Sequence, residues 1–327
     1  MRRAPYLLDD PRMVETANVR AAASPRTLTR KPLFTLLLPY LLVAPTLILV
    51  FAFTLYPAVQ TVNASLYRPP RNVQAPAEFV GLQNYLDLFN PAHFIGSRFT
   101  LVFGNTLFFA VVTVALCVPL ALLFALLLNR RIRFIGLYRF GLFYPALLPM
   151  IGAASIWAFL FADTIGLASV IARTLGVAAP NWLGNPDTVL LSVTLVNIWK
   201  QAGFYMIFYL AGLQNIPTDI YEAADLEGAS RWQQLRFLTI PLLRRTTLFV
   251  LVVAFTFAFQ TVEHLQALGM GGPGDRSNLL LYLIFQSIPE RRNWGYVNAM
   301  TVLLVLVLLV FTITNLFAFE RGGREDA

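Results

Sequence analysis

Charge is scarce in this chain. Asp, Glu, Lys and Arg together make up 13% of its 327 residues, about half the share usual in soluble domains. Too little charge to cover a water-facing surface excludes an ordinary soluble fold. Cys117 is the only cysteine, so neither an intramolecular disulfide nor a cysteine metal site can form, and its place in an apolar run suits packing. The two histidines, His93 and His264, lie far apart and supply neither a metal cluster nor a nucleophile–base pair, which leaves a membrane enzyme without its parts. Lysine occurs twice, at Lys31 after Arg30 and at Lys200 after Trp199. A Walker A loop needs Gly-Lys followed by Ser or Thr, so this chain carries no such ATP site. No repeat at solenoid spacing or internal duplication is visible.

Apolar residues are abundant: 57% of the chain, with a mean hydropathy of +0.64. Crossing a hydrocarbon core of ~30 Å takes about 20 apolar residues. Six stretches meet that length: Leu33–Tyr56, Phe99–Leu128, Phe134–Phe161, Thr188–Leu210, Thr246–Leu268 and Tyr296–Phe319. Prolines within them, such as Pro45, Pro119, Pro145 and Pro149, are tolerated where neighbouring helices satisfy the freed carbonyls. The expected fold is an all-α integral membrane protein of six transmembrane helices, spanning 33–319. Residues 1–32 form a polar tail, with no cleavable leader expected because the first apolar run is too long. Residues 320–327 form a second tail. The outer loop over 57–98 has room for a short helix around Leu82–Phe89.

The net charge of +8 lies in short basic caps between apolar blocks, which excludes a nucleic-acid surface and fits a topology signal instead. With the N-terminus inside, the inner segments hold seven, three, four and two Lys/Arg residues, 16 in all, against 7 outside. Both termini are therefore expected on the cytoplasmic side of the membrane. Arg139, near the start of the third stretch, is expected to snorkel towards the same side.

One inner segment, 217–241, has the pattern of a helical hairpin lying on the membrane surface. Pro217 stands at a helix start, with Thr218 or Asp219 as cap and Glu222 behind it. Gly228 permits a tight bend or a close backbone approach. A second amphipathic stretch runs to Pro241, placing Trp232, Leu235, Phe237 and Leu238 among Arg and Gln residues. Exposed apolar residues on such an element call for a partner.

The spacing Glu222-Ala223-Ala224, Gly228, Leu238, Ile240-Pro241 resembles the EAA loop of binding-protein-dependent ABC importer permeases. Leu238 and Ile240 exchange that family's usual Ile and Leu, and Arg244 stands where another Pro is frequent. Phe79-Val80-Gly81-Leu82-Gln83-Asn84-Tyr85 is similar to the segment after the first span of carbohydrate-uptake permeases. Gly212–Pro217 resembles the approach to the EAA loop, and Gly271-Gly272-Pro273 an outer turn after the fifth span. The resemblance runs from about residue 35 to 318, towards first permease subunits of maltose and glycerol-3-phosphate type.

The resemblance implies a type I ABC importer permease fold and a transport subunit rather than an enzyme. Its partners would be a second permease subunit, a cytoplasmic ATPase dimer that binds ATP and Mg, an extracytoplasmic solute-binding protein and membrane lipid. The chain itself would bind no cofactor and no metal. The loop would dock in a cleft of the ATPase, with Glu222 pairing with an Arg there. The solute implied is a sugar, oligosaccharide or glycerol-phosphate-like polyol.

Polar groups inside apolar stretches mark the candidate pathway. Asn197 and Lys200 lie in the fourth stretch with Tyr205, and Tyr205 or a nearby Phe could stack on a sugar ring. Thr256, Gln260 and Glu263 recur at helical spacing in the fifth, and Gln260 matches a position where carbohydrate permeases resembling this chain often have Asp or Asn. Glu263 and His264 are expected near the outer interface. The same groups also fit as interhelical hydrogen-bonding glue, and Lys200 as the cap of a broken helix or the partner of a carboxylate. An ion-coupled secondary transporter is the competing class. It favours repeated halves and buried coupling carboxylates, whereas Glu263 is the one acidic residue within these stretches.

Overall fold

The computed structural model describes residues 33–69, 76–130, 132–289 and 294–324, so the expected N-terminal tail over 1–32 lies outside the described residues. The chain divides into two units, Met1–Pro57 and Ala58–Ala327. In the first, α1 (Leu33–Val50) continues into a π-helical segment, Phe51–Leu55. Its side chains are apolar, and none described is buried.

Past α2 (Tyr56–Ala64), the second unit opens with two short antiparallel strands, β1 (Tyr67–Arg68) and β2 (Glu78–Phe79). The short helix expected around Leu82–Phe89 is α3 (Gln83–Phe89). The Phe79–Tyr85 motif shapes this corner. Buried Asn84 donates to the carbonyls of Ser65 and Tyr67, at 2.8 and 3.0 Å, and the Tyr85 hydroxyl meets that of Ser65.

Two long helices form the spine: α4 (Phe94–Leu128) and α8 (Val189–Gln214). They pack side by side and run in the same direction, so one apolar core collects around their first halves and a second around their last. Around them lie α5 (Ile135–Leu147), α6 (Met150–Leu160), α7 (Leu167–Thr174), α12 (Arg244–Gln260), α13 (Glu263–Ala267), α14 (Leu280–Ser287) and α15 (Trp294–Arg324). Between α8 and α12 runs the helical hairpin of α9 (Thr218–Leu226), α10 (Arg231–Gln234), a π segment Leu235–Thr239 and α11 (Ile240–Leu242).

Among the described residues, three helices are long and apolar enough to cross a membrane: Leu38–Ala64, Phe94–Leu128 and Trp294–Phe317, or up to five if two bent pairs each count as one crossing. Several expected spans change shape. The third is broken at Leu148–Pro149 into α5 and α6, bent by 99°, because Pro149 cannot continue the hydrogen-bond ladder and biases Leu148 to extended backbone. The fifth ends at Gln260, and the extended Thr261 begins a two-residue break before α13. Glu263 is therefore not on the helical face of Thr256 and Gln260. The last helix continues through Arg324, beyond the tail boundary expected at 320.

Candidate functional site

The hairpin over 217–241 is folded by local chemistry. Its first helix, α9, starts at Thr218 with Pro217 in the capping position and no side-chain cap, which corrects the cap expected at Thr218 or Asp219. Pro217 suits the place because it has no N–H to leave unpaired. Gly228, at φ +77°, ends α9 in the left-handed region, and the amide of Ala229 returns to the carbonyl of Ala224 at 2.9 Å, a closure that favours Gly. Ser230 then opens α10 with a capping box: its hydroxyl accepts from the Gln233 amide while the Gln233 side chain accepts from the Ser230 amide.

Cross-braces hold the two arms together. Gln234 donates to the Asp225 carboxylate at 2.5 Å and to the Ala229 carbonyl at 3.1 Å, while the Tyr221 and Thr239 hydroxyls meet at 3.0 Å. Pro241 lies within the second arm, and the bend comes at Leu243, where α12 departs at 66°. Arg244 is the first residue of α12.

Of the expected coupling residues, Ala224 is buried against the hairpin and Leu238 is half-buried, while Glu222, Ala223, Gly228, Ile240 and Pro241 are exposed. The Glu222 carboxylate has no hydrogen-bond or ion-pair partner among the described residues. Leu226 is 90% exposed, and Trp232 and Phe237 are about two-thirds exposed. A rigid, self-braced element thus presents a free carboxylate and bare apolar side chains.

The candidate pathway residues separate into two groups. Asn197, Lys200 and Tyr205 are buried in α8. Tyr205 lies in the core at 1% exposure, leaving its ring no open face, and Phe204 beside it makes the ring contact to Phe257 across to α12. Lys200 donates to the carbonyl of Ala146 at 3.1 Å, in the last turn of α5 just before the 99° bend, and lies within electrostatic range of Glu263. Because α13 packs on α6, one α8 side chain addresses both helix breaks. Thr256 is half-buried on α12, Gln260 is exposed at its end and Glu263 is exposed on α13. Arg139 donates to the carbonyl of Leu128 and so caps α4. His264, expected near an interface, is fully buried and stacks on Phe109.

Two ion-paired networks on the opposite end were not anticipated from sequence. Arg98 grips Asp275 through both carboxylate oxygens, at 2.7 and 3.1 Å, and Asn105, Asn278 and Gln286 complete the set. This pins the turn over 269–279. Elsewhere Asp87 accepts from Arg68 at 2.6 Å, Gln83 at 2.8 Å and the Tyr296 hydroxyl at 2.9 Å. Burial would raise both carboxyl pKa values. Hydrogen bonds from Gln83 and Tyr296, with the charges of His93 and Arg68, reverse this at Asp87; Arg98 and Asn278 reverse it at Asp275. Both are held below the ordinary carboxylate value. The signal available in sequence was that Asp and Glu are few in this chain, so each one in a loop calls for a partner.

Among the described residues no cluster of His, Cys, Asp or Glu could hold a metal ion. Broken apolar helices with a bare amphipathic hairpin at one end are the architecture of a membrane transport subunit. The chain belongs to the family of binding-protein-dependent transport system inner membrane components, whose sequence profile matches residues 94–319. It is an ABC transporter permease subunit of the inner membrane, and ATP hydrolysis falls to a separate polypeptide.

It is 33% identical over 279 residues to the trehalose/maltose transport system permease protein MalF of Thermococcus litoralis, covering 85% of this chain and 92% of that one. With the arabinooligosaccharides transport system permease protein AraP of Halalkalibacterium halodurans the figures are 30% over 292 residues, 88% and 90%. With the sn-glycerol-3-phosphate transport system permease protein UgpA of Agrobacterium fabrum they are 32% over 277 residues, 84% and 92%. A bacterial alginate ABC transporter, solved in complex with an alginate pentasaccharide-bound periplasmic protein, has a chain of the same fold: TM-score 0.74 at 20% identity, covering 87% of this chain and 96% of that one.

Proposed function

We propose that this chain pairs with a second permease subunit to form the translocation pathway of an importer for a sugar, oligosaccharide or glycerol-phosphate-like solute. An extracytoplasmic binding protein delivers the solute, and a cytoplasmic ATPase dimer with its ATP and Mg drives the cycle. Residues 33–319 make six crossings, with the bent α5–α6 pair as one, α12 leaving the surface hairpin as another and α8 as the sixth. At about 1.5 Å per residue, the 26 residues of α8 are long enough. Both termini face the cytoplasm, as the 16-to-7 distribution of Lys and Arg favours. The solute class is supported by the relatives that carry maltose, arabinooligosaccharides and glycerol-3-phosphate.

The observation that carries the proposal is the hairpin from Glu222 to Pro241, internally braced while Glu222 lacks a partner and Leu226, Trp232 and Phe237 stay largely exposed. Docked in an ATPase cleft, the arms move as a unit when ATP closes the dimer. The bend at Leu243 passes that motion into α12, which packs on both α4 and α8. Further along α12, Thr256 and Gln260 supply hydroxyl and amide groups that replace water around a sugar, with Asn197, Lys200, Glu263 and the Phe204–Phe257 ring pair nearby on the route.

Co-purification of ATPase subunits with Glu222→Ala and Gly228→Val tests the docking. Losing a buried partner for a charged group weakens association about tenfold or more. Gly228→Val forces a branched side chain into the left-handed region, at a cost of roughly 1–3 kcal/mol. Both variants are expected to insert normally and to lose ATPase or coupled uptake. Normal coupled uptake in both would contradict the assignment.

A further inference from the structure

A cavity of about 570 Å³ lies where the coupling hairpin meets the ends of the spine helices. Its walls come from both sides of that joint: Leu126 and Leu213 from the last turns of α4 and α8, and Asp225 and Trp232 from the hairpin. Arg130, just past the end of α4, and Arg231, the first residue of α10, line it too. Neither guanidinium has a hydrogen-bond or ion-pair partner among the described residues. Asp225 is the one carboxylate in the lining, and its Oδ1 already accepts from Gln234. Two cations against one engaged anion leave the cavity net positive.

We propose that this cavity binds the phosphate headgroup of an anionic membrane phospholipid, which braces the coupling hairpin against the spine helices. The placement rests on the cytoplasmic orientation of the hairpin given above. Guanidinium forks match phosphate oxygens bidentately, and basic pockets between membrane helices on the cytoplasmic side suit anionic headgroups. A free anion would engage the arginines alone and leave Leu126 and Trp232 wetted. A lipid covers those apolar groups with its glycerol and first methylenes, at the depth where α4 and α8 end.

The test is native mass spectrometry of the full-length chain, purified with its accompanying subunits and titrated with phosphatidylglycerol or phosphatidylcholine. The wild type is expected to retain phosphatidylglycerol roughly tenfold or more over phosphatidylcholine. Arg130→Gln/Arg231→Gln should lose that preference, and Arg130→Lys/Arg231→Lys, which keeps charge but not the forks, should fall between. Equal retention by wild type and the Gln pair overturns the proposal. Displacement of the lipid by millimolar inorganic phosphate overturns it in favour of a soluble anion. Loss of ATPase subunits from the Gln pair overturns it in favour of an ATPase contact at these arginines. Lipid retention is read independently of coupling, so Glu222→Ala should release ATPase yet keep phosphatidylglycerol, and the two readings fail separately.

Discussion

Asp87 and Asp275 are carboxylates in a protein that uses few, and each is held by an arginine and by side-chain donors. Their pKa values lie below the ordinary value in the folded chain. A depressed carboxylate stabilises the fold at pH above its unfolded value, about 3.9, and that contribution is lost as pH falls through the folded value. The two networks are therefore expected to keep full strength from neutral pH down to about 5 and to loosen only below about 4. Hydrogen exchange of the segments over 76–93 and 269–279 across that range checks this. Loosening already near pH 6 would contradict control of these segments by the two carboxylates.

At the scale of elements, the α5–α8 contact gives the sharpest prediction. A Cβ on Gly203 would fall 1.8 Å from the Leu142 carbonyl oxygen, whereas one on Gly141, in α5 itself, meets nothing within 4 Å. Gly203→Ala must push α5 away from α8, and with it the Ala146 carbonyl that Lys200 caps. The expected cost is about 1–3 kcal/mol, read as a fall in melting temperature of the purified chain, with Gly141→Ala neutral or slightly stabilising. Equal behaviour of the two variants would contradict this packing. The sequence displayed the apolar lengths of these elements but not their breaks. Leu148 and Pro149 continue an unbroken apolar run, and prolines in other runs, such as Pro119, remain inside a straight helical assignment. Whether a proline ends a membrane helix depends on what satisfies the freed carbonyls, here Lys200 from another helix, and no local pattern reports that.

For the whole molecule, composition and charge placement were enough to read a membrane protein, and the Glu222–Pro241 spacing was enough to read its family. The hairpin's amphipathic pattern and Gly228 were legible because they are local. The pathway was less so: helical spacing put Glu263 on one face with Thr256 and Gln260, and the break at Thr261–Val262 separates them. Tyr205 looked available for stacking, yet three-dimensional packing encloses it and leaves Phe204 and Phe257 between α8 and α12. The helix breaks, the buried Lys200 and the Glu263 carboxylate are features that an ion-coupled carrier would share. What separates that class from an ABC importer is the source of energy.

The most direct measurement is solute uptake into proteoliposomes carrying this chain with its accompanying permease and ATPase subunits, supplied with solute-loaded binding protein. The account predicts uptake that requires ATP on the ATPase side, persists when proton and sodium gradients are collapsed, and is lost with Glu222→Ala. Uptake driven by an ion gradient in the absence of ATP would contradict it.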